Sequence, residues 1–322
     1  MVDMQHENRL QRIGGRYELQ AELGEGGMGV VYRSEHPALG RPVAIKVMHE
    51  IDEDEDPRAR LRFLREARCM ARVHHRSVAR LYDLVDDPEA GLAMVLELIE
   101  GRTLHDELAD CGALSPERAS EIACELLDAL EAAHSVGIIH RDLKPENVML
   151  LDRPTAAGAQ LKLIDFGLAK PDGEDDTQLT LVGHVLGTPQ YMAPEQVRSE
   201  TLDGRADIYA LGVLLYQLLD GRRPFRHSNP MLLMIAQLQQ TPDPLSAEIP
   251  AALRAVVAKA MAKDVDARFQ TAGEMRAALE AALRPTVPAS RRAATRCSDR
   301  PAMSLVPRAH VAALAEHAAA LN

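Results

Sequence analysis

The sequence contains no tryptophan, and aromatic residues account for only 3% of its 322 residues. Cysteine is scarce too, and the chain has four scattered cysteines without paired spacing: Cys69, Cys111, Cys124 and Cys297. This pattern excludes a disulfide framework and a cysteine-based zinc site, and it is typical of buried or incidental thiols in a reducing compartment. The lack of tryptophan by itself excludes no class of function.

Long apolar runs and an excess of basic residues are also missing. No run of about 18 apolar residues occurs, and residues 1–16 are polar without the apolar core of a signal peptide. We therefore expect no membrane span and a cytoplasmic location. The net charge of −11 does not favour nucleic-acid binding, so we expect no nucleic-acid partner. Hydrophobic residues make up 46% of the chain, enough for a full core in one large domain or two lobes.

The most informative stretch is residues 140–167. It reads His-Arg-Asp-Leu-Lys-Pro-Glu-Asn, then two short apolar runs that we expect to be buried strands, then Asp-Phe-Gly. A hairpin of these strands would bring Asn147 and Asp165 together at one end. Their amide and carboxylate oxygens suit Mg²⁺, which accepts few protein ligands and takes the rest from phosphates and water. Asp142, on the same loop as Asn147, is placed to orient a hydroxyl nucleophile.

Residues 140–147 and 165–167 resemble the catalytic loop and the magnesium loop of the eukaryotic-type (Hanks-type) protein kinases. An eight-residue match, followed at suitable spacing by a second motif, is too specific for a chance cluster of charges. The resemblance covers residues 16–283 and is closest to the bacterial serine/threonine protein kinases. It implies an α+β, bilobal protein-kinase fold. In that fold a five-stranded antiparallel sheet and helix C form the N-lobe, the C-lobe is mainly helical, and ATP lies in the cleft.

This resemblance predicts how the chain is divided. We expect an N-terminal extension in residues 1–15, the kinase N-lobe in residues 16–98, the C-lobe in residues 99–284 and a flexible tail in residues 285–322. The last part of the tail, residues 309–321, could form a short helix with one apolar face, and a frayed alanine-rich end is the open alternative.

A glycine-rich loop precedes the second strand of the expected N-lobe. Gly24, Gly26 and Gly29 form a Gly-x-Gly-x-x-Gly pattern, which lets the backbone turn tightly and approach phosphate oxygens. The same spacing marks dinucleotide-binding folds, but there the loop opens a helix. Here the chain continues as a strand, which fits a loop over the phosphates of ATP. A plain glycine hairpin is the alternative if the downstream motifs are ignored.

Lys46 stands inside an apolar strand, where an unpaired charge would cost free energy. Residues 58–73 have a helical pattern, and Glu66 falls on the same face as Phe63 and Met70. We therefore predict that Glu66 points inward and pairs with Lys46. The resemblance implies the same pair, between the kinase lysine and the glutamate of helix C. The alternative is a partly exposed Glu66 in an arginine-rich helix.

The resemblance also implies a nucleotide site. Leu96 takes the gatekeeper position, and Glu97 and Leu98 would offer backbone groups to the adenine edge. As sequence alone, the apolar residues of this set are explained equally well as core residues. The residues expected to contact ATP are Leu23, Gly24, Glu25, Gly26, Gly27, Met28, Gly29, Val31, Ala44, Lys46, Leu96, Glu97, Leu98, Met149 and Asp165.

The catalytic roles that follow from the resemblance fall on Lys46, Glu66, Asp142, Lys144 and Thr188. Asp142 would orient the substrate hydroxyl and accept its proton late, and Lys144 would offset charge on the transferred phosphoryl group. A lysine at this position goes with serine/threonine specificity in the family. Thr188 resembles the threonine that hydrogen-bonds the catalytic loop.

The metal-binding roles fall on Asn147 and Asp165, with Mg²⁺ as the expected ion and Mn²⁺ as an alternative. The implied reaction is transfer of the γ-phosphoryl group of ATP to serine or threonine hydroxyls of protein substrates. A pseudokinase scaffold is the rival interpretation, but Lys46, Asp142 and Asp165 are all present. A small-molecule kinase of related fold is disfavoured by Thr188 and by residues 193–195, which match the family's Ala-Pro-Glu motif.

Regulation by phosphate is expected in the loop that follows residue 167. Thr180 resembles an activation-loop phosphosite, and autophosphorylation is expected there or at Thr177. In a kinase fold Arg62, Arg141 and Lys170 can converge, so a phosphothreonine would pair with them and order the loop. Two unmodified loop hydroxyls are the alternative.

Two further contacts are predicted in the C-lobe. Asp207 begins an almost wholly apolar helix and would brace the backbone of the catalytic loop, although an acid is favourable at the start of any helix. Arg268 is the expected partner of Glu195.

Overall fold

The computed structural model describes residues 12–26, 29–49, 59–166 and 189–284. These residues lie in a compact unit that ends at Arg284. Its first part is a sheet and its second part is mainly helical, so the predicted bilobal α+β architecture is confirmed.

The N-terminal lobe is built on a five-stranded antiparallel sheet. A short ribbon of β1 (Arg12–Ile13) and β2 (Tyr17–Glu18) precedes it. The sheet contains β3 (Glu22–Gly26), β4 (Gly29–His36), β5 (Arg41–Met48), β6 (Leu81–Asp87) and β7 (Gly91–Glu97), in the order β3-β4-β5-β7-β6. All neighbouring strands are antiparallel, as predicted.

The two faces of this sheet belong to different cores. Successive side chains of a strand point to opposite faces. Val43, Ile45 and Val47 of β5 therefore pack on one face with Ile13 and Tyr17 of the ribbon. The N-lobe boundary predicted at residue 16 stays a prediction, and β1 lies on the N-terminal side of it.

Helix α1 (Ala59–Arg72) packs with the other face of the sheet. Its buried residues recur at helical spacing, and Phe63 and Met70 join the large core that continues into the C-terminal lobe. Glu66 is on this buried face, which is the helix phase that the sequence pattern predicts.

The C-terminal lobe begins with β8 (Gly101–Thr103), α2 (Leu104–Cys111) and α3 (Pro116–Ser135). The start of α3 follows the predicted signals, because Ser115 Oγ accepts a hydrogen bond from the backbone N–H of Arg118 at 3.2 Å and proline occupies the first turn. The antiparallel hairpin of β9 (Val148–Leu151) and β10 (Leu161–Leu163) follows, with β8 beside β9.

The remaining helices surround a buried central helix. The central helix is α5 (Arg205–Asp220), and the others are α4 (Pro194–Val197), α6 (Pro230–Gln239), α7 (Ala251–Ala260) and α8 (Ala272–Leu283). Nearly all of α5 is buried, as expected for a helix that is apolar on every side. A Cβ atom on Gly212 would lie 2.8 Å from that of Ala260, so glycine permits the close approach of α7. Within the described ranges, no helix is both long and apolar enough to cross a membrane.

Candidate active site

The end of the β9–β10 hairpin brings the two predicted metal ligands together. Leu163 is paired with Val148, and the next N–H along, that of Ile164, donates to the carbonyl oxygen of Asn147 at 2.9 Å. Asp165 follows immediately. The amide oxygen of Asn147 and the carboxylate of Asp165 therefore come from neighbouring positions at one end of the hairpin.

Lys46 of β5 reaches this end of the hairpin and also α1. Its Nζ lies 2.8 Å from Oε1 of Glu66 and 3.0 Å from Oδ1 of Asp165. Lys46 is 8% exposed and Glu66 is 3% exposed. One ammonium group thus joins the sheet, the helix and the hairpin, and the structure brings together three side chains that the sequence separates widely.

The three charges shift one another's pKa values. Burial lowers the pKa of Lys46, but Asp165 and Glu66 together more than offset that effect and hold it above its usual range. Burial raises the pKa of Glu66, and the attraction of Lys46 opposes this only in part. Burial also raises the pKa of Asp165, but the nearby Lys46 ammonium outweighs it and the pKa lies below its usual range. Asp165 is therefore ionised at neutral pH and Lys46 stays protonated.

The loop before β9 holds the predicted catalytic pair. Nζ of Lys144 lies 2.7 Å from Oδ2 of Asp142. Nδ2 of Asn147 donates to the carbonyl oxygen of Asp142 at 2.8 Å. Since the nitrogen of the Asn147 amide is engaged in this way, its oxygen is the atom suited to a metal ion.

Asp207, near the start of α5, holds this loop by accepting hydrogen bonds from its backbone. Its Oδ2 accepts the backbone N–H of His140 at 2.8 Å and its Oδ1 accepts that of Arg141 at 2.9 Å. Nε2 of His134 lies 2.7 Å from Oδ2 as well. Arg141 has a φ of 69°, a conformation that costs a non-glycine residue free energy. The buried carboxylate of Asp207 thus holds a strained backbone directly before Asp142.

Residues 17–280 match the model of the protein kinase domain. The chain belongs to the protein kinase family. The predicted family membership is confirmed by this match, and members of the family use ATP with a divalent metal ion.

Several bacterial kinases are similar to this kinase domain. A probable serine/threonine-protein kinase of Streptomyces coelicolor is 40% identical over 279 residues, which cover 85% of this chain and 41% of the relative. The serine/threonine-protein kinase PknB of Mycolicibacterium smegmatis is 40% identical over 275 residues, covering 84% and 43%. PknB of Mycobacterium tuberculosis is 39% identical over 273 residues, covering 83% and 43%. The chain spans less than half the length of these relatives.

The donor set of the kinase domain fits a magnesium-like ion. In the part of the chain that the structure describes, no three His, Cys, Asp or Glu side chains form a cluster that could hold a metal by themselves. A metal at Asn147 and Asp165 would therefore take most of its ligands from phosphates and water, which is the preference of Mg²⁺.

The strand register puts several of the predicted nucleotide-binding residues of the kinase domain on the same face of the sheet as Lys46. Val31 is paired with Lys46, and Ala44 with Leu96. A Cβ atom on Gly29 would lie 2.0 Å from the carbonyl oxygen of Val47, so only glycine fits there. Gly24 is paired with Val31, Glu25 with Val30 and Gly26 with Gly29. In the hairpin, Met149 of β9 is paired with Lys162 of β10.

Other predicted residues are less enclosed or fall outside the described ranges. Leu23 is 49% exposed. At the hinge, Leu98 directly follows β7, and the backbone N–H of Glu97 already donates to the carbonyl oxygen of Arg80 at 2.9 Å. The carboxylate of Glu97 also pairs with the buried Lys162 at 2.8 Å. Gly27, Met28, Gly167, Lys170, Thr177, Thr180 and Thr188 lie outside the described residues.

Glu195, the last residue of the Ala-Pro-Glu motif, is held by a buried ion pair. Arg268 Nη1 and Nη2 donate to the two carboxylate oxygens of Glu195 at 2.7 and 2.8 Å, so the structure contains the contact expected from the sequence. The neighbouring Gln196 donates through Nε2 to the carbonyl oxygen of Arg141 at 2.8 Å. Sequence reasoning missed Gln196, because a single glutamine after the Ala-Pro-Glu motif has no local pattern.

The packing of Phe166 against His140 was not predicted from the sequence either. Their ring centroids are 5.0 Å apart, and both residues are buried. Burial lowers the pKa of His140, so a neutral imidazole packs beside Phe166. This contact packs Phe166, the residue directly after Asp165, against the catalytic loop.

Proposed function

We propose that this chain is a serine/threonine protein kinase, which transfers the γ-phosphoryl group of ATP to serine or threonine hydroxyls of protein substrates. The observation that carries the proposal is the contact of buried Lys46 with both Glu66 and Asp165, next to the loop that holds Asp142. The relatives named serine/threonine-protein kinases support the same reaction and substrate class.

ATP would be held both through its phosphates and through its base. Lys46 would hold the α- and β-phosphates, and Glu66 would keep its ammonium in position. The glycine-rich backbone of residues 24–29 would cover the phosphates, while Val31, Ala44 and the hinge would contact the base.

Metal binding is assigned to Asn147 and Asp165. The ion, Mg²⁺ with Mn²⁺ as an alternative, would neutralise charge on the phosphates. Lys46 keeps the Asp165 carboxylate ionised, and Asp142 keeps the Asn147 amide turned so that its nitrogen is engaged.

Transfer would depend on positioning and electrostatics. Asp142 would orient the substrate hydroxyl, whose oxygen forms a bond to the γ-phosphorus as the bond to the bridging oxygen of ADP breaks. The hydroxyl proton would pass to Asp142 late in the step and then to solvent. Lys144, beside Asp142, would offset charge on the transferred group.

Regulation by autophosphorylation at Thr180 or Thr177 is part of the proposal. Arg141 and Arg62 are the described members of the expected phosphate-binding set, and Lys170 lies outside the described residues. A signalling role in the cytoplasm, without nucleic acid as a partner, stays a prediction.

The decisive experiment measures transfer of labelled phosphate from ATP to dephosphorylated casein and to the protein itself, with Mg²⁺. Asp142→Asn should lower the rate by about 10²- to 10⁴-fold. Asp243→Asn removes an exposed carboxylate outside the proposed site and should act like the unaltered protein. Equal labelling with Asp142→Asn would overturn the proposal, and ATP binding without any transfer by the unaltered protein would favour a pseudokinase scaffold.

A further inference from the structure

Gln237 of α6 is fully buried, although glutamine is usually exposed. Its Nε2 donates to the carbonyl oxygens of Pro189 and Gln190 at 3.2 and 2.7 Å. Its Oε1 accepts the hydroxyl of Tyr209 at 2.7 Å. Both ends of the amide are therefore used, and one side chain joins α5 and α6 to the backbone of residues 189–190.

Lys263 completes this polar cluster from the chain after α7. Its Nζ donates to the carbonyl oxygen of Gln237 at 2.7 Å and to the hydroxyl of Tyr209 at 2.8 Å. Nζ also lies 4.4 Å from the ring centroid of Phe225. Gln237 and Tyr209 are buried and their side-chain polar atoms are bonded, so displacing either side chain would leave a buried donor or acceptor without a partner.

The backbone that Gln237 holds leads directly to the catalytic loop. Tyr191 donates its hydroxyl to Gln217 at 2.5 Å, and Gln196 donates to the carbonyl oxygen of Arg141 at 2.8 Å. Arg141 is covalently joined to Asp142. The segment 189–196 is therefore held at both ends, by Gln237 at one end and by the backbone directly before Asp142 at the other.

A hydroxyl presented to Asp142 belongs to a peptide whose flanking residues must run along neighbouring protein surface. Segment 189–196 reaches the protein surface only at its half-buried residues, Pro189, Gln190, Met192 and Gln196. Gln196 bonds to the residue before Asp142, so this part of the surface adjoins the catalytic loop. On the ATP side, Lys46 of β5 contacts Glu66 of α1 and Asp165 at the end of the β9–β10 hairpin. The contacts of Lys46 and those of Gln237 thus involve different residues.

We propose that Gln237 is a positioning residue for the protein substrate: it sets the backbone of residues 189–190, and through it the surface that receives the peptide next to the phosphorylated hydroxyl. The inference rests on the proposed kinase function. It assigns to Gln237 an effect on the KM for protein substrate that is separate from the KM for ATP.

The test compares Gln237→Met with Gln239→Met. Methionine has a similar size to glutamine but cannot replace its hydrogen bonds, and Gln239 is an exposed glutamine on the same helix. For each protein we would measure the KM for dephosphorylated casein, the KM for ATP, and ATP hydrolysis without casein. Gln237→Met should raise the KM for casein about tenfold, as expected for the loss of one or two hydrogen bonds. The KM for ATP and the hydrolysis rate should stay within about twofold of the unaltered protein, the size of effect expected of a substitution away from the groups involved.

A second variant keeps the inference testable if Gln237→Met does not fold. Tyr209→Phe removes the hydroxyl that bonds Gln237 and Lys263 but keeps the ring, and it should raise the KM for casein in the same direction. An unchanged KM for casein in the folded variants would overturn the inference, as would parallel losses in ATP hydrolysis and casein phosphorylation. If the unaltered protein transfers no phosphate at all, the proposed function fails and this inference fails with it.

Discussion

Nζ of Lys46 lies 2.8 Å from Oε1 of Glu66, although the two residues are 20 positions apart and belong to a strand and a helix. The pair is largely buried, since the Lys46 side chain is 10% exposed and that of Glu66 is 4% exposed. Buried charges of this kind persist only when each has a partner. The position of α1 against the sheet therefore controls where the ammonium group of Lys46 points.

Replacing Glu66 tests this control. Glu66→Gln keeps the shape of the side chain but removes the charge that competes with Asp165 for Lys46. We expect Lys46 to shift towards Asp165 and phosphate transfer to fall by about 10²-fold, the size of effect that a small misplacement of a positioning group produces. Steady-state kinetics with varied ATP would measure the change, and Glu248→Gln at an exposed site is the control. Unchanged kcat/KM for ATP would contradict this role.

The ion pair of Glu195 and Arg268 gives a prediction about stability. The side chain of Arg268 is fully buried and that of Glu195 is 5% exposed, so removing one partner leaves a buried, unpaired charge. We expect Arg268→Met to lower the free energy of unfolding by about 3–5 kcal/mol, and Glu195→Met combined with Arg268→Met to lose less than the sum of the single changes. Urea unfolding followed by circular dichroism measures both. Additive losses would show that the pair is not coupled.

The contact of His134 with Asp207 gives a prediction about pH. Burial lowers the pKa of His134, but the hydrogen bond to Asp207 and the attraction of the Asp207 carboxylate and other nearby carboxylates together outweigh it, so the pKa lies above its ordinary value of 6.5. The folded protein then holds a proton that the unfolded chain releases near pH 6.5. The stabilisation is therefore complete below that pH and is lost as the pH rises through the folded-state pKa.

His134→Asn isolates this effect. The difference in unfolding free energy between the unaltered protein and the variant should be larger at pH 5.5 than at pH 9, two buffer conditions on either side of the ordinary histidine pKa. Urea titrations at several pH values would measure it. A difference that stays constant or grows with pH would rule out a protonated His134 in the native state.

The predicted phosphosites give a prediction about regulation. Replacing Thr177 and Thr180 with alanine should lower casein phosphorylation about tenfold, because one charge-assisted hydrogen bond donated by an arginine to a phosphate is worth roughly 1.4 kcal/mol or more. Thr201→Ala, at an exposed threonine, is the control. Phosphatase-treated protein should behave like the double variant. Full activity of the phosphate-free protein would argue against activation by phosphorylation.

Local patterns in the sequence predicted most elements of the fold. Ser115 and Pro116 mark the start of α3, and the spacing of Phe63, Glu66 and Met70 gives the phase of α1. Capping and helical periodicity depend on residues a few positions apart, so these features can be predicted without the tertiary structure. The motif match added the predicted roles of the polar residues between the elements.

Several contacts of the site could not be predicted in this way. His134 bonds Asp207 across 73 positions, Gln196 bonds the carbonyl oxygen of Arg141 across 55, and Gln237 bonds that of Gln190 across 47. The first contact joins two polar side chains, and the other two join a side chain to a backbone carbonyl. Neither kind of contact has a periodic signature in the sequence. Only the packing of the helices shows which acceptor lies within reach.

The sequence by itself determined the family, the order of strands and helices, and the set of charged side chains available for chemistry. The tertiary structure decided that Lys46 bonds Glu66 and Asp165 at the same time, the latter across 119 positions, and that Asp207 holds the loop where Arg141 takes a φ of 69°. The reason is physical. Sequence patterns report forces between near neighbours along the chain, whereas hydrogen bonds and ion pairs require atoms about 3 Å apart, a condition that only the packed fold can meet.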